Sequence, residues 1–367
     1  MSKLRHVLGI SGGKDSSALA IYLKQKYPEI KIEYYTADTG KELDETYKLI
    51  KNLEIFLGEK IKILNAAENS PEAPFDHFLQ MYGGFLPSSN ARWCTKKLKL
   101  DPFEKFVGDD LVISYVGIRG DENREGYISK KSNIQSIFPF RRNIWSEDVI
   151  AKFLSNENIQ IILKYNDSLD LQGNKDRRAE ILATPISQSF TQLQKMNILL
   201  DLNIRDFNKL IFSFLKTTKY PLSQVNEYPL LDNDDVLVRD DIFKLLETSG
   251  VGVPEYYKKR EFDVDGKIGF YSRSRSGCYF CFFQQKIEWI WLYENHNNLF
   301  IKAMSYEKDG FTWMQDERLE DLINPDRIRQ IKLDQIKKNE KKTIQQSPYL
   351  LDILGDTESD GCASCFI

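Results

Sequence analysis

The chain has 367 residues, 41% hydrophobic and 29% charged, with a formal net charge of −3. That length exceeds one ordinary domain and supports a sizeable core, and no apolar run approaches the ~18 residues that a membrane span needs. The balance is that of a water-soluble globular protein without a global positive excess, and the Met-Ser-Lys-Leu-Arg start has no apolar segment of secretory length, so a cytoplasmic protein with no membrane partner is expected.

Val7, Leu8 and Ile10 bound a short apolar run that predicts a buried strand, and from Asp15 onward Ala18, Ile21 and Tyr22 recur at helical spacing. Between them lies Ser11-Gly12-Gly13-Lys14-Asp15-Ser16-Ser17. Two glycines without a Cβ let the backbone turn and bring its N–H groups close to an anion, and the helix N-terminus adds partial positive charge. Ser11, Ser16 and Ser17 supply hydroxyl donors and Lys14 a cation. Asp15 suits a helix N-cap and a ligand to a phosphate-bound Mg2+, directly or through water. The spacing G-x-x-x-x-G-K-[ST] of a P-loop is absent.

Lys31 to Thr36 predicts a second strand, which puts Asp38, Thr39 and Gly40 beyond its carboxyl end, where an open parallel sheet binds ligands. Leu43 to Phe56 has helical spacing, Lys60 to Leu64 reads as a third strand, and a short helix surrounds Asp76 to Met81. Arg92 to Lys99 leads into a helix through Phe106, and Leu111 to Gly117 is the next buried strand. It ends in Ile118-Arg119-Gly120-Asp121-Glu122, where the fixed fork of Arg119 suits a phosphate or a surface ion pair. Ile137 to Phe140 reads as a fifth strand, followed by a helix capped by Ser146.

From Lys164 to Glu255 apolar residues recur at helical spacing and predict an accessory helical region. Cys278-Tyr-Phe-Cys281 precedes an aromatic-rich helix, Lys286 to His296, and C-x-x-C in that position presents two thiolates to a metal or cluster. Residues 326–343 read as a charged surface helix, and Cys362 and Cys365 lie on a polar tail suited to a sulfur relay or to no role at all. The expected regions are 1–163, nucleotide-binding; 164–262, a helical insertion or accessory domain; 263–345, the C-x-x-C segment and C-terminal helices; and 346–367, a flexible tail.

SGGKDSS resembles the pyrophosphate loop of the N-type ATP pyrophosphatases, which cut ATP between the α and β phosphates. The ordered segments SGGKDSS, ADTGKELDET, RWCTKKLKLDPF, GIRGDENR and FPFRRNIWSEDV, over roughly residues 5 to 160, are similar to the phosphoadenylylsulfate (PAPS) reductase branch of that superfamily. The resemblance implies an α/β fold, a Rossmann-like parallel sheet with helices on both faces, plus the mainly helical accessory region. It implies Lys14, Asp15, Arg119 and Glu122 as catalytic residues, and Ser11, Gly12, Gly13, Ser16, Ser17, Asp38, Thr39 and Gly40 as ligands of ATP with Mg2+. Asn123 stands where the family has serine, Gly126 where it has a second arginine, with Arg124 close by, and the E-C-G-x-H segment of the sulfonucleotide reductases is absent.

In related adenylylsulfate reductases a Cys-Cys pair and a later C-x-x-C hold a [4Fe-4S] cluster. Cys94, Cys278 and Cys281 match three of those ligands and Trp93 takes the fourth place, which leaves a cluster or Zn2+ completed by Cys362 or Cys365, or three packed thiols. With its long helical insertion and RSGCYFC, the chain most resembles the ATP pyrophosphatases of the bacterial Dnd and Ssp DNA phosphorothioation systems. That resemblance implies a DNA backbone phosphate as acceptor, a cysteine desulfurase as sulfur donor, and other phosphorothioation proteins as partners; sulfonucleotide reduction and tRNA thiolation are the alternatives.

Overall fold

The structure is a computed structural model that describes residues 4–122 and 131–344. Five parallel strands, β1 (Leu4–Gly9), β2 (Ile32–Asp38), β3 (Lys62–Asn65), β4 (Leu111–Tyr115) and β5 (Ile134–Ile137), form one sheet in the order β3-β2-β1-β4-β5. Successive side chains of a strand face opposite ways. Val7 therefore joins Tyr35, Val112 and Phe103 on one face, while Leu8 joins Leu19, Leu53 and Ile113 on the other. Helices α1 (Lys14–Lys26) and α2 (Asp44–Leu57) cover the Leu8 face. On the Val7 face lies a continuous helical stretch: α4 (Trp93–Thr95), a π-helical turn (Lys96–Leu100) and α5 (Asp101–Val107). The expected α/β sheet with helices on both faces is what the chain forms.

Two local expectations are corrected. The fifth strand is Ile134–Ile137, in register with Val112–Tyr115, because Pro139 has no N–H to continue a ladder and Arg141 N donates back to Phe138 O at 3.1 Å. Ser146 occupies the N-cap of α6 (Glu147–Leu154), but its side chain makes no capping hydrogen bond.

Helices α7 (Ile159–Ser168), α8 (Lys175–Ala183), α9 (Gln192–Leu202), α10 (Ile204–Leu215) and α11 (Arg239–Thr248) make the region after the sheet helical, as its periodicity predicts. Their apolar faces do not form a separate core. Phe153, Phe207, Leu210 and Leu246 pack in one cluster with Leu8, Ile21 and Trp145, and the indole N–H of Trp145 donates to Asn208 Oδ1 at 2.9 Å. The boundary expected at residue 163 falls inside α7.

A second core gathers the C-terminal third around α12 (Lys286–Asn295), whose Trp289 and Trp291 are fully buried. Packed with it are α3 (Pro74–Met81), α13 (Asn297–Met304), α14 (Leu319–Leu322), α15 (Pro325–Ile344) and an antiparallel hairpin, β6 (Arg260–Val264) and β7 (Lys267–Tyr271). The hairpin turns at Asp265-Gly266, both at positive φ, and Asp-Gly is a hairpin signal. Among the described residues no helix is long and apolar enough to cross a membrane.

Glu317 ties α15 to α12: Arg327 grips it through Nε at 2.5 Å and Nη2 at 2.7 Å, and Lys286 Nζ lies 2.7 Å away. These cations, Arg327 first, hold the Glu317 carboxyl down at about 2. A carboxylate with a lowered folded-state pKa contributes stability above its ordinary value that is lost as pH falls through the folded one. Glu317→Gln is expected to lower the urea midpoint at neutral pH, with the difference from wild type closing as pH falls from about 4.5 toward 2. A difference that does not change with pH would contradict this assignment.

Candidate functional site

The strand order reverses between β1 and β4, and in open parallel sheets ligands bind in the crevice beyond the carboxyl ends at such a point. The loop Ser11–Ser17 leaves β1 there, and Arg119 follows β4. The two meet directly: Arg119 Nη1 donates to Asp15 Oδ1 at 2.9 Å, with both side chains buried. Gly117 permits this approach, because a Cβ there would lie 2.9 Å from the Asp15 carbonyl oxygen.

Around this contact the predicted catalytic residues converge. Arg119 also pairs with Asp121 at 2.9 Å and Glu122 at 3.1 Å, and Lys14 Nζ lies 3.3 Å from Asp15 Oδ2. Asp15 is not the helix cap: α1 begins at Lys14 with Gly13 as N-cap. Its two carboxylate oxygens face Arg119 and Lys14, one cation to each. Asn123, Arg124 and Gly126 lie outside the described residues.

The loop itself is knitted by its hydroxyls. Ser16 Oγ accepts from Ser11 N at 3.2 Å, and Ser11 Oγ accepts from Gly13 N at 3.3 Å. Ser17 is fully buried and its hydroxyl makes no hydrogen bond. Gly12 adopts φ +69°, and a Cβ there would come within 2.2 Å of Thr46 Cγ2.

Three residues that the sequence reading did not single out close over this loop from the distant end of the chain. Tyr256 OH donates to Gly12 O at 3.2 Å, and Tyr257 OH accepts from Lys14 N at 3.3 Å. The Tyr257 ring lies 5.1 Å from Lys14 Nζ, and Ser276 Oγ sits 2.5 Å from where a Gly13 Cβ would be. Burial raises both tyrosine hydroxyls above their ordinary value, so they stay protonated at neutral pH. The Tyr257 and Ser11 oxygens take N–H groups that a phosphate would take.

Beside the loop a cavity of about 260 Å3 opens at the carboxyl ends of β1 and β2, lined by Ser11, Thr36, Asp38 and Tyr47 among others. Asp38 Oδ1 accepts from Gly40 N at 2.8 Å and Tyr47 OH at 2.9 Å. Thr39 Oγ1 donates to Glu42 Oε1 at 2.6 Å and lies 3.2 Å from Cys278 Sγ. Burial pushes the Glu42 carboxyl and the Cys278 thiol up.

The expected metal set is not assembled. Among the described residues no group of three or more His, Cys, Asp or Glu side chains is placed to hold a metal ion, Cys94, Cys278 and Cys281 included. A bridge between Glu42 and Cys278 turns that thiol toward Thr39, while Cys94 packs at the edge of the second core and Trp93 donates to Phe85 O at 3.0 Å. Cys362 and Cys365 lie outside the described residues.

Residues 5–168, which hold the sheet, the loop and Arg119, match the family described as the phosphoadenosine phosphosulfate reductase domain. The uncharacterized protein MJ0066 of Methanocaldococcus jannaschii is 35% identical over 181 residues, 46% of this chain and 35% of that protein. The tRNA-specific 2-thiouridylase MnmA of Aeromonas hydrophila is 27% identical over 122 residues, 31% of this chain and 33% of that enzyme. The chain thus spans about a third of the length of the curated relatives it matches. Among solved structures, the Candida auris phosphoadenylyl-sulfate reductase, a phosphate complex, aligns over 40% of this chain and 67% of its own, with 18% identity and a TM-score of 0.28.

Two outcomes follow from the geometry of the loop. Gly12→Ala is expected to cost about 2–4 kcal/mol in urea unfolding, from left-handed strain plus overpacking. Adding Thr46→Ser, which removes the methyl and keeps the hydroxyl near Tyr256, should recover the steric part alone. Tyr257→Phe keeps the ring over Lys14 but frees its N–H, and calorimetry should show pyrophosphate binding about two- to tenfold tighter; an unchanged affinity would remove the hydroxyl as a competitor.

Proposed function

We propose that the protein is an ATP pyrophosphatase that adenylylates an oxygen of its acceptor so that sulfur can replace it, with a DNA backbone phosphate as the acceptor. The observation that carries this reading is the convergence of the Ser11–Ser17 loop and Arg119 at the point where the strand order reverses. Resemblance of the motifs to the DNA phosphorothioation pyrophosphatases supports the choice of acceptor.

In this mechanism the nucleotide lies with its base and ribose toward the Asp38 and Tyr47 cavity and its phosphates over the loop. Magnesium arrives with ATP as part of the substrate and neutralises phosphate charge. The backbone N–H groups of Gly13 and Lys14, released from Ser11 and Tyr257, bind phosphate oxygens at the start of α1. The Lys14 ammonium and Arg119 guanidinium oppose the charge that builds on the leaving pyrophosphate. Asp15 and Glu122 position Arg119, since each holds the same guanidinium nitrogen. The acceptor oxygen attacks the α-phosphorus, the bond to the β-phosphate oxygen breaks and pyrophosphate leaves. Sulfur supplied by a cysteine desulfurase, acting with other phosphorothioation proteins, then displaces AMP: hydrosulfide gives the phosphorothioate directly, whereas a persulfide attacks through its terminal sulfur and a second thiol must then cleave the S–S bond, leaving a disulfide.

The similarity to MnmA favours a second reading, in which tRNA is the acceptor. One assay separates these from sulfonucleotide reduction. Radiolabelled ATP is followed to AMP and pyrophosphate with DNA, with tRNA and with neither, and PAPS with a thiol reductant is followed to sulfite. AMP formation stimulated by DNA is expected, and it should fall at least about a hundredfold in Asp15→Asn and Gly13→Val, with circular dichroism and Tm confirming the fold. Stimulation by tRNA alone moves the acceptor, and sulfite without ATP cleavage refutes the pyrophosphatase.

A further inference from the structure

A groove that no step above uses runs between α15 and the segment Arg275–Ile287, with a volume of about 780 Å3. Five cations line it, Arg275, Lys286, Arg327, Lys337 and Lys338, against one carboxylate, Asp334. With Asp316 and Glu317 behind the wall and Asp334 paired to Lys337, five cations stand against three carboxylates, a modest positive excess in a chain whose net charge is −3. Asp316 and Glu317 hold Lys286 and Arg327 in place at the wall.

The groove also carries aromatic surface. Phe282 and Phe283, both half-buried, lie with ring centroids 4.4 Å apart, and the Arg92 guanidinium covers Phe283 at 5.0 Å. Cations that follow a phosphate backbone beside rings that stack on bases are the recognition chemistry of single-stranded nucleic acid, whose bases are open to stacking.

An independent observation points to a ligand. Gln284 lines the same groove, is 8% exposed, and neither its amide nitrogen nor its amide oxygen makes a hydrogen bond. A buried amide with both functions unsatisfied costs free energy that a polar ligand would recover, and a base edge or a sugar-phosphate offers both a donor and acceptors or acceptors alone. The groove begins at Arg275, whose neighbour Ser276 rests on Gly13 of the phosphate loop.

We propose that this groove binds a single-stranded nucleic-acid segment, stacking its bases on Phe282 and Phe283 and leading its backbone to the phosphate loop. The inference deepens the reading above and rests on it for the acceptor being a nucleic acid. An acidic protein segment is the competing occupant. It would use the cations but has no need of the rings.

The test is fluorescence anisotropy of a labelled single-stranded oligodeoxynucleotide with the full chain, against poly-aspartate as a competitor and over a range of salt. Binding is expected to weaken with salt, with a slope of about −0.7 per phosphate contact. Phe283→Ala should weaken it at least about tenfold, as loss of one stacked base does. Lys337→Glu/Lys338→Glu should lower both affinity and salt slope, with Tm showing each variant folded. Gln284→Leu should weaken binding several-fold while raising Tm, which a purely structural glutamine would not do. No binding by the wild-type chain, affinity indifferent to Phe283→Ala, or displacement by poly-aspartate at equal charge would each overturn the proposal. AMP formation from ATP tests the phosphate loop separately, so failure of the groove and failure of the pyrophosphatase reading are distinguishable.

Discussion

The contact between Asp15 and Arg119 organises the site. A carboxylate at the start of α1 and a guanidinium after β4 meet at 2.9 Å in a buried setting, where removing one partner leaves an uncompensated charge. The pair can form only because Gly117 lets the chain after β4 come against the Asp15 carbonyl. Once made, it fixes the distance between the two strand ends that flank the crevice, and the Lys14 ammonium and the Asp121 and Glu122 carboxylates arrange around it. Alternating charge in a confined volume gives the site a defined geometry before any ligand arrives.

The later parts of the chain are built onto this contact. The segment before α11 supports the Arg119 turn from below: Gly120 N donates to Leu237 O at 2.9 Å, and Arg239 N donates to Asp121 Oδ2 at 3.4 Å. Tyr256, Tyr257 and Ser276 cover the loop from above. Helices α7 to α11 share their hydrophobic core with the sheet, so the helical region is a structural continuation of the half that holds the sheet. Through Cys278, which touches Thr39 at the end of β2, the second core is joined to the same crevice.

The sheet, its parallel sense and the place of the Ser11–Ser17 loop were readable before the fold was known, because these follow from local signals: apolar runs of strand length, helical periodicity between them, and two glycines at a strand end. Arg119 and Glu122 were legible for the same reason, standing just after a buried run. The hairpin β6–β7 was not read from the sequence, although its Asp265-Gly266 turn carries a local hairpin signal. Tertiary structure alone decided the rest. That Asp15 meets Arg119 and that Tyr257 occupies the Lys14 N–H depend on contacts between residues more than a hundred positions apart. No local pattern encodes such contacts, since they arise only when separate apolar faces pack and the polar groups between them must find partners within reach.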